Sequence, residues 1–246
     1  MKPLYLGLMF AALMAAQSAL PSYRASHAVD LIVVDGKLDE FSWLSAPRTE
    51  PFRNIRKLDD PQPSRTDAAL LWNSTNLYVA FVCRDELPWG TLYKRDEFLW
   101  NQEVVEVFLD PDGDGKNYPE LEVSPHNVVV DLLIPGPPNS GTDASIAARW
   151  DIEGLETAVQ KHAAGWVVEM AIPWAALRGG GVEGAPAIGD RWRVGLYRIE
   201  RPGGAARAKE EMPELEAKDE YLAWAPTEKS FHEPAKFGYV EFVLKP

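Results

Sequence analysis

From residue 70 onward, short apolar runs alternate with breaks of Gly, Pro, Asn and Asp. The runs are rich in Val, Ile, Tyr, Phe and Trp, residues that fit a pleated, half-buried surface. They predict strands over 68–72, 76–83, 104–110, 121–124, 128–133, 165–172, 192–200 and 237–244. Pro125-His126-Asn127 separates two of these and reads as a hairpin turn. Helical turns are expected only over 39–46 and 174–178, because no stretch sustains a 3.6-residue period for three turns. The fold expected is all-β, an antiparallel two-sheet β-sandwich of jelly-roll or immunoglobulin-like kind. Segments 135–148, 179–189 and 202–219 read as long surface loops within one domain over 19–246, and no internal repeat is found.

Composition changes this picture in three places. Hydrophobic residues make up 46% of the 246, with nine Trp, which is ample for a packed core. The net charge of −12 would repel nucleic acid phosphates and anionic lipid, while neutral ligands and divalent cations stay compatible. Cys83 is the only cysteine, so an internal disulfide is excluded, and its place in the apolar run 77–82 gives it the part of a small hydrophobe.

The N-terminus reads as an export signal. Lys2 precedes an uncharged apolar stretch over 4–16, and Ala16 and Ser18 supply small residues for cleavage after 18. The stretch is shorter than the ~20 residues that span a bilayer. Residues 1–18 are thus expected to be a signal peptide, the mature chain being periplasmic or extracellular with no membrane span.

Five patterns occur in order. Val34-Asp35-Gly36-Lys37-Leu38-Asp39-Glu40 is followed by Trp43 and Ala46. Leu71-Trp72 leads into Asn76-Leu77-Tyr78-Val79-Ala80-Phe81. Trp100 precedes Glu103, Val105, Glu106, Phe108, Asp110 and Pro111. Gly165-Trp166-Val167-Val168-Glu169 runs to Ala171-Ile172-Pro173-Trp174, and Ala223-Trp224-Ala225-Pro226-Thr227 precedes Phe231-His232-Glu233-Pro234. Over residues 28–244 this series resembles the family 9 carbohydrate-binding modules and their DOMON-like β-sandwich relatives.

That resemblance implies a sugar end held between two aromatic rings, since a pyranose has an apolar C–H face and hydroxyls that need oriented partners. It places Trp100 as the first ring, Phe231 as the second, and Glu106 as a ligand to hydroxyls. The family's sugar-binding arginine and asparagine fall on Glu122 and Ser124, and a ligand-contacting asparagine falls on Glu228. The polar run Arg95-Asp96-Glu97 before Trp100 favours exposure of that ring. The resemblance also allows structural calcium, for which Asp110, Asp112, Asp114 and Asn117 are the candidates, because Asp110-Pro111-Asp112-Gly113-Asp114-Gly115 resembles the oxygen-rich start of a calcium loop without being an EF-hand.

Some readings stay open. Glu106 lies in a strand otherwise of Val and Phe, where a carboxylate needs a cleft or a partner such as Arg198. Glu103 and Glu106, three apart, point to opposite faces, whereas Glu106 and Glu122 on adjacent strands could share a cleft and leave glycoside hydrolysis as an alternative. Haem binding or electron transfer on the same fold is another, with Met170 or a histidine as axial ligand. The expected function is exported, non-catalytic carbohydrate binding in polysaccharide catabolism.

Overall fold

The computed structural model describes residues 19–58, 64–136, 150–209 and 213–245. The expected signal peptide and most of the loop expected over 135–148 lie outside the described residues. The strands are β1 (Ser22–His27), β2 (Arg53–Asn54), β3 (Thr66–Trp72), β4 (Asn76–Arg84), β5 (Val104–Asp110), β6 (Tyr118–Val123), β7 (Val129–Ile134), β8 (Glu156–His162), β9 (Gly165–Pro173), β10 (Arg191–Glu200), β11 (Glu220–Ala223) and β12 (Gly238–Val243). Among the described residues the helices are short, α1 (Phe41–Ser45) and α2 (Pro213–Glu216), with 3-10 turns that include Leu99–Asn101 and Trp174–Gly180. No helix of the described residues is long and apolar enough to cross a membrane.

Each predicted run is a strand. β1, β2, β8 and β11 are additional, for identifiable reasons. β8 is a largely exposed edge strand with no apolar run, and β1 reads Ser-Tyr-Arg-Ala-Ser-His, a mostly polar string. β1 becomes a strand because it is inserted between β12 and β3.

Hydrogen bonding runs without a break in the order β7-β6-β5-β10-β12-β1-β3-β4-β9-β8, with β11 joining β10 to β2. β1 is parallel to both neighbours, so the sheet is mixed where a purely antiparallel pair of sheets was expected. The long sheet curls over one main core. Val105, Val107, Leu121 and Val123 from one end of the strand order pack in the same cluster as Phe81, Val168, Met170 and Ile172 from the other. Burial of this kind supplies ~25 cal/mol per Å² of apolar surface. Met170 is fully buried among these residues, the packing role of an ordinary core side chain. Cys83 is buried too, and burial pushes its thiol up to about 12.

Strand alternation then divides β5, β6, β7 and β10 between two faces. Val105, Val107, Leu109, Leu121, Val123, Val129, Val194 and Leu196 enter the main core. Val104, Phe108, Tyr118, Val130, Leu132, Tyr197 and Ile199 form a second cluster on the opposite face, together with Leu99, Phe231 and Phe237 from loops. Glu106, Glu120 and Glu122 share the parity of this second face. A third cluster seats Trp43 of α1 on Ala69, Leu71, Tyr78 and Ala80. Trp43 Nε1 donates to Glu169 Oε1 at 2.8 Å, and the amides of Asp35 and Gly36 donate to Oε2 at 3.1 Å. The first of the five sequence patterns is therefore a clasp that pins the N-terminal segment to β9.

Candidate functional site

Seven of the nine Trp are buried, namely 43, 72, 89, 166, 174, 192 and 224, and Trp100 is one of the two that are not. It stands on the 3-10 turn Leu99–Asn101, half-buried against the second cluster. Its ring stacks on Phe98 with centroids 4.8 Å apart and planes 30° from parallel, and Phe98 is 54% exposed. Its carbonyl accepts from Arg201 Nη2 at 3.0 Å, fixing the turn to the end of β10. Two recesses border this turn. One, of about 630 Å³, is lined by Arg56, Arg201, Arg207 and Tyr221; the other, of about 460 Å³, by Leu92, Asp96 and Phe98. Asn101 and Gln102 line both.

Phe231 is placed in the same second cluster, but it is buried, with 8% exposed. Its stacking partner is Tyr197, 4.2 Å away and 13° from parallel. One face of the phenyl is thus already covered.

Glu106 and Glu122 are direct register partners across β5 and β6, and Glu120 is the next residue along β6 on the same face. All three are at most 4% exposed. One oxygen from each lies within 4.8 Å of the others. Burial pushes all three carboxyls up. The Glu120 charge adds to this at Glu106, where Arg201 opposes it. Glu106 and Glu120 add to it at Glu122, where the Trp100 amide pulls the other way. At Glu120 the neighbouring His232 opposes burial.

Arg198 is not the partner of Glu106. Register sets Arg198 opposite Val105 and Tyr197 opposite Glu106, so Arg198 points to the core side. There it pairs with Asp85 at 3.0 Å and with Glu200. Glu103 belongs to that group, within 4.8 Å of Asp85 and Glu200, and Trp89 N donates to it at 3.0 Å. Glu103 and Glu106 thus stand on opposite faces, as their spacing requires.

Ser124 is buried, and its hydroxyl accepts from the amides of His126 at 3.3 Å and Val128 at 3.2 Å, capping the β6–β7 turn. Asn127 in that turn has φ +58°, a left-handed conformation that Asn tolerates. Glu228 is exposed and salt-bridged to Lys236 at 2.6 Å. The loop it shares with Phe231 is organised by Glu233, whose carboxylate accepts from the amides of Glu228, Lys229 and Ser230.

In the acidic loop, one oxygen each of Asp110, Asp112 and Asp114 lies within 4.8 Å of the others. Asp110 is 1% exposed and its Oδ1 has no hydrogen-bond partner. Burial pushes its carboxyl up to about 6, against the pull of the Gly115 amide. Hard oxygen donors with a partnerless buried oxygen fit calcium. Asn117 is exposed with φ +50° and closes the turn into β6.

Sequence reasoning did not single out Glu120, His232, Tyr118 or Arg201. Glu120 was within its reach, since it shares the parity of Glu122. The other three come from β6, the end of β10 and a distant loop, and only the curl of the sheet unites them.

A family model described as "Carbohydrate family 9 binding domain-like" matches residues 34–245. Endo-1,4-beta-xylanase A of Thermotoga neapolitana is 25% identical over 219 residues, which is 86% of this chain and 17% of that protein. Exoglucanase XynX of Acetivibrio thermocellus is 26% identical over 145 residues, covering 59% of this chain and 12% of the relative. The chain thus spans less than a fifth of the length of these curated relatives. Among solved structures, a family 9 carbohydrate-binding module of Caldicellulosiruptor kristjanssonii in complex with cellotriose aligns with TM-score 0.63 at 15% identity, covering 92% of this chain and 95% of that one. The same source gives a complex with glucose at TM-score 0.60 and 16% identity, covering 90% and 95%. A protein of Bacteroides uniformis aligns with TM-score 0.67 at 16% identity, covering 91% and 100%. At these identities the structural likeness establishes the fold.

Proposed function

Because the chain belongs to the carbohydrate family 9 binding domain-like family, we propose that it captures the end of a saccharide at the Trp100 turn. The observation that carries this reading is the standing of Trp100. It is a half-exposed indole among buried ones, between two recesses, on the face that holds Glu106 and Glu122. A pyranose C–H face packs on such a ring, and Phe98, stacked beside it, widens the platform. Glu106 and Glu122, whose carboxyls burial pushes up, would hydrogen-bond hydroxyls of the sugar. Glu228 at the exposed loop rim would meet the outer parts of the sugar, while the buried Phe231 and Ser124 would support the site from behind.

The role proposed is binding, with breakdown of the polysaccharide left to partner enzymes, and export through residues 1–18. Asp110, Asp112 and Asp114 would hold a calcium ion that stiffens the β5–β6 loop. Two structural neighbours are complexes with cellotriose and glucose, which makes β-1,4-glucans the first polysaccharides to try. In affinity electrophoresis through gels containing soluble polysaccharides, the protein should be retarded by at least one of them, and free oligosaccharide should restore its mobility. Unchanged mobility across glucans, xylans and mannans would remove the reading.

A further inference from the structure

We propose that Glu106, Glu120, Glu122 and His232 form a binding site for one divalent cation of the Mn²⁺ or Zn²⁺ type. The three carboxylates are within reach of a single ion, with one oxygen of each inside 4.8 Å of the others. Among the described residues no ion pair closer than His232, at 3.9 Å from Glu120, answers their charge, and Arg201 acts on Glu106 only from beyond salt-bridge distance. Both oxygens of Glu122 and Oε2 of Glu120 are buried without a hydrogen-bond partner. Buried carboxylates are paired or coordinate metals, because an isolated one is too costly to keep ionised.

Two other acidic groups show what an answered cluster looks like. Asp85, Glu103 and Glu200 have Arg198 among them. Asp96, Asp131 and Asp151 have Arg95, which reaches Asp131 at 2.5 Å and Asp151 at 3.1 Å. Among the described residues no Lys or Arg forms a salt bridge with Glu106, Glu120 or Glu122. Arg201, whose charge acts on Glu106, is committed to Asp219 and to the Trp100 carbonyl.

His232 stands beside Glu120, outside the group in which every donor lies within 4.8 Å of the others, and would swing in as a fourth donor of a different kind. Its Nε2 lies 3.9 Å from Glu120 Oε2, the partnerless oxygen. That is too long for a hydrogen bond and close to the ~3.4 Å that separates neighbouring donors around a tetrahedral ion with bonds of ~2.1 Å. Its Nδ1 is 3.0 Å from the Tyr118 hydroxyl. A second partner on the far nitrogen is how metal-ligating imidazoles are oriented. The His232 side chain is 31% exposed and gives the ion its way in. Three carboxylates with one imidazole suit Mn²⁺ or Zn²⁺ better than calcium, which takes oxygen alone. The inference goes beyond carbohydrate binding; it shares Glu106 and Glu122 with that reading, so the metal titration is made without sugar.

The test is a titration of chelator-treated protein with Mn²⁺, without sugar, counting bound ions by the loss of the free-ion electron paramagnetic resonance signal. Wild type should bind one more equivalent than Glu122→Gln, and Asp112→Asn should keep that equivalent, separating it from the acidic loop. His232→Gln, at a partly exposed position, should fold normally and hold the ion at least tenfold more weakly. Circular dichroism verifies the fold of each variant. Equal stoichiometry and affinity in wild type, Glu122→Gln and His232→Gln would overturn the site and leave protons as the occupants of the cluster. Failure here leaves the saccharide reading standing, and failure of saccharide binding leaves this site standing.

Discussion

Arg198 and Glu106 show how one residue's direction decides its chemistry. Arg198 is fully buried on the core side of β10, bonded to Asp85, Glu200, Thr66 Oγ1 and the Arg84 carbonyl. Removing it strands buried carboxylates, which costs about 3–5 kcal/mol. Arg198→Ala should therefore lower the unfolding free energy from denaturant titration by that amount, and a loss below about 1 kcal/mol would mean the group is not the buried ion pair described. The opposite directions of Glu103 and Glu106 were legible from a spacing of three. A pairing of Arg198 with Glu106 was not excluded by sequence, because only the register Tyr197↔Glu106 turns Arg198 away. The prominence of Trp100 was legible in the polar residues before it. The burial of Phe231 was not, since Tyr197 comes to cover it from a strand some thirty residues earlier.

Elements carry the next constraint. β9 begins at Gly165 with φ +144°, and a Cβ there would lie 1.9 Å from the Cys83 carbonyl oxygen of β4. Gly165→Ala must strain the backbone or push the two strands apart. Holding a non-glycine residue in such a conformation costs about 1–3 kcal/mol, a fall of about 2–12 °C in Tm at this chain length. A thermal scan showing no shift would contradict the close approach. The eight strands visible in sequence are those whose apolar runs face a core. β1 and β8 were hidden because pairing partners, rather than composition, make them strands: β1 is held by β12 and β3, and β8 by the edge of β9. The parallel pairing of β1 has no local sequence signal, because β3 is reached only across a long connection and β12 lies at the opposite end of the chain.

At the scale of the molecule, acidity is concentrated inside as well as outside. Burial, the largest cause in each case, lifts Glu169 and Glu200 to about 7 and Asp110 to about 6. Glu106, Glu120 and Glu122 move in the same direction. A carboxyl with a folded pKa above its unfolded value binds more protons in the folded state. Its contribution is complete below the unfolded value, near 4, and is lost as pH rises through the folded value. With chelator present, Tm should therefore fall between about pH 4 and pH 8, and a rise over that window would contradict the burial described. Divalent cations should restore more stability at pH 8 than at pH 5, since ligands must be deprotonated to bind. The fold class was legible from strand patterning, but the curl that brings Glu106, Glu120, Glu122 and His232 together arises from contacts across the whole sheet.

The central claim is that saccharide binding resides at the Trp100 turn. Isothermal titration calorimetry of wild type and Trp100→Ala with the oligosaccharide that competes best in electrophoresis tests it most directly. Truncation of a stacking indole should cost at least about 1.4 kcal/mol, a tenfold weakening, with circular dichroism unchanged because Trp100 is only half-buried. Equal affinity in the two proteins would place the sugar elsewhere and contradict the account.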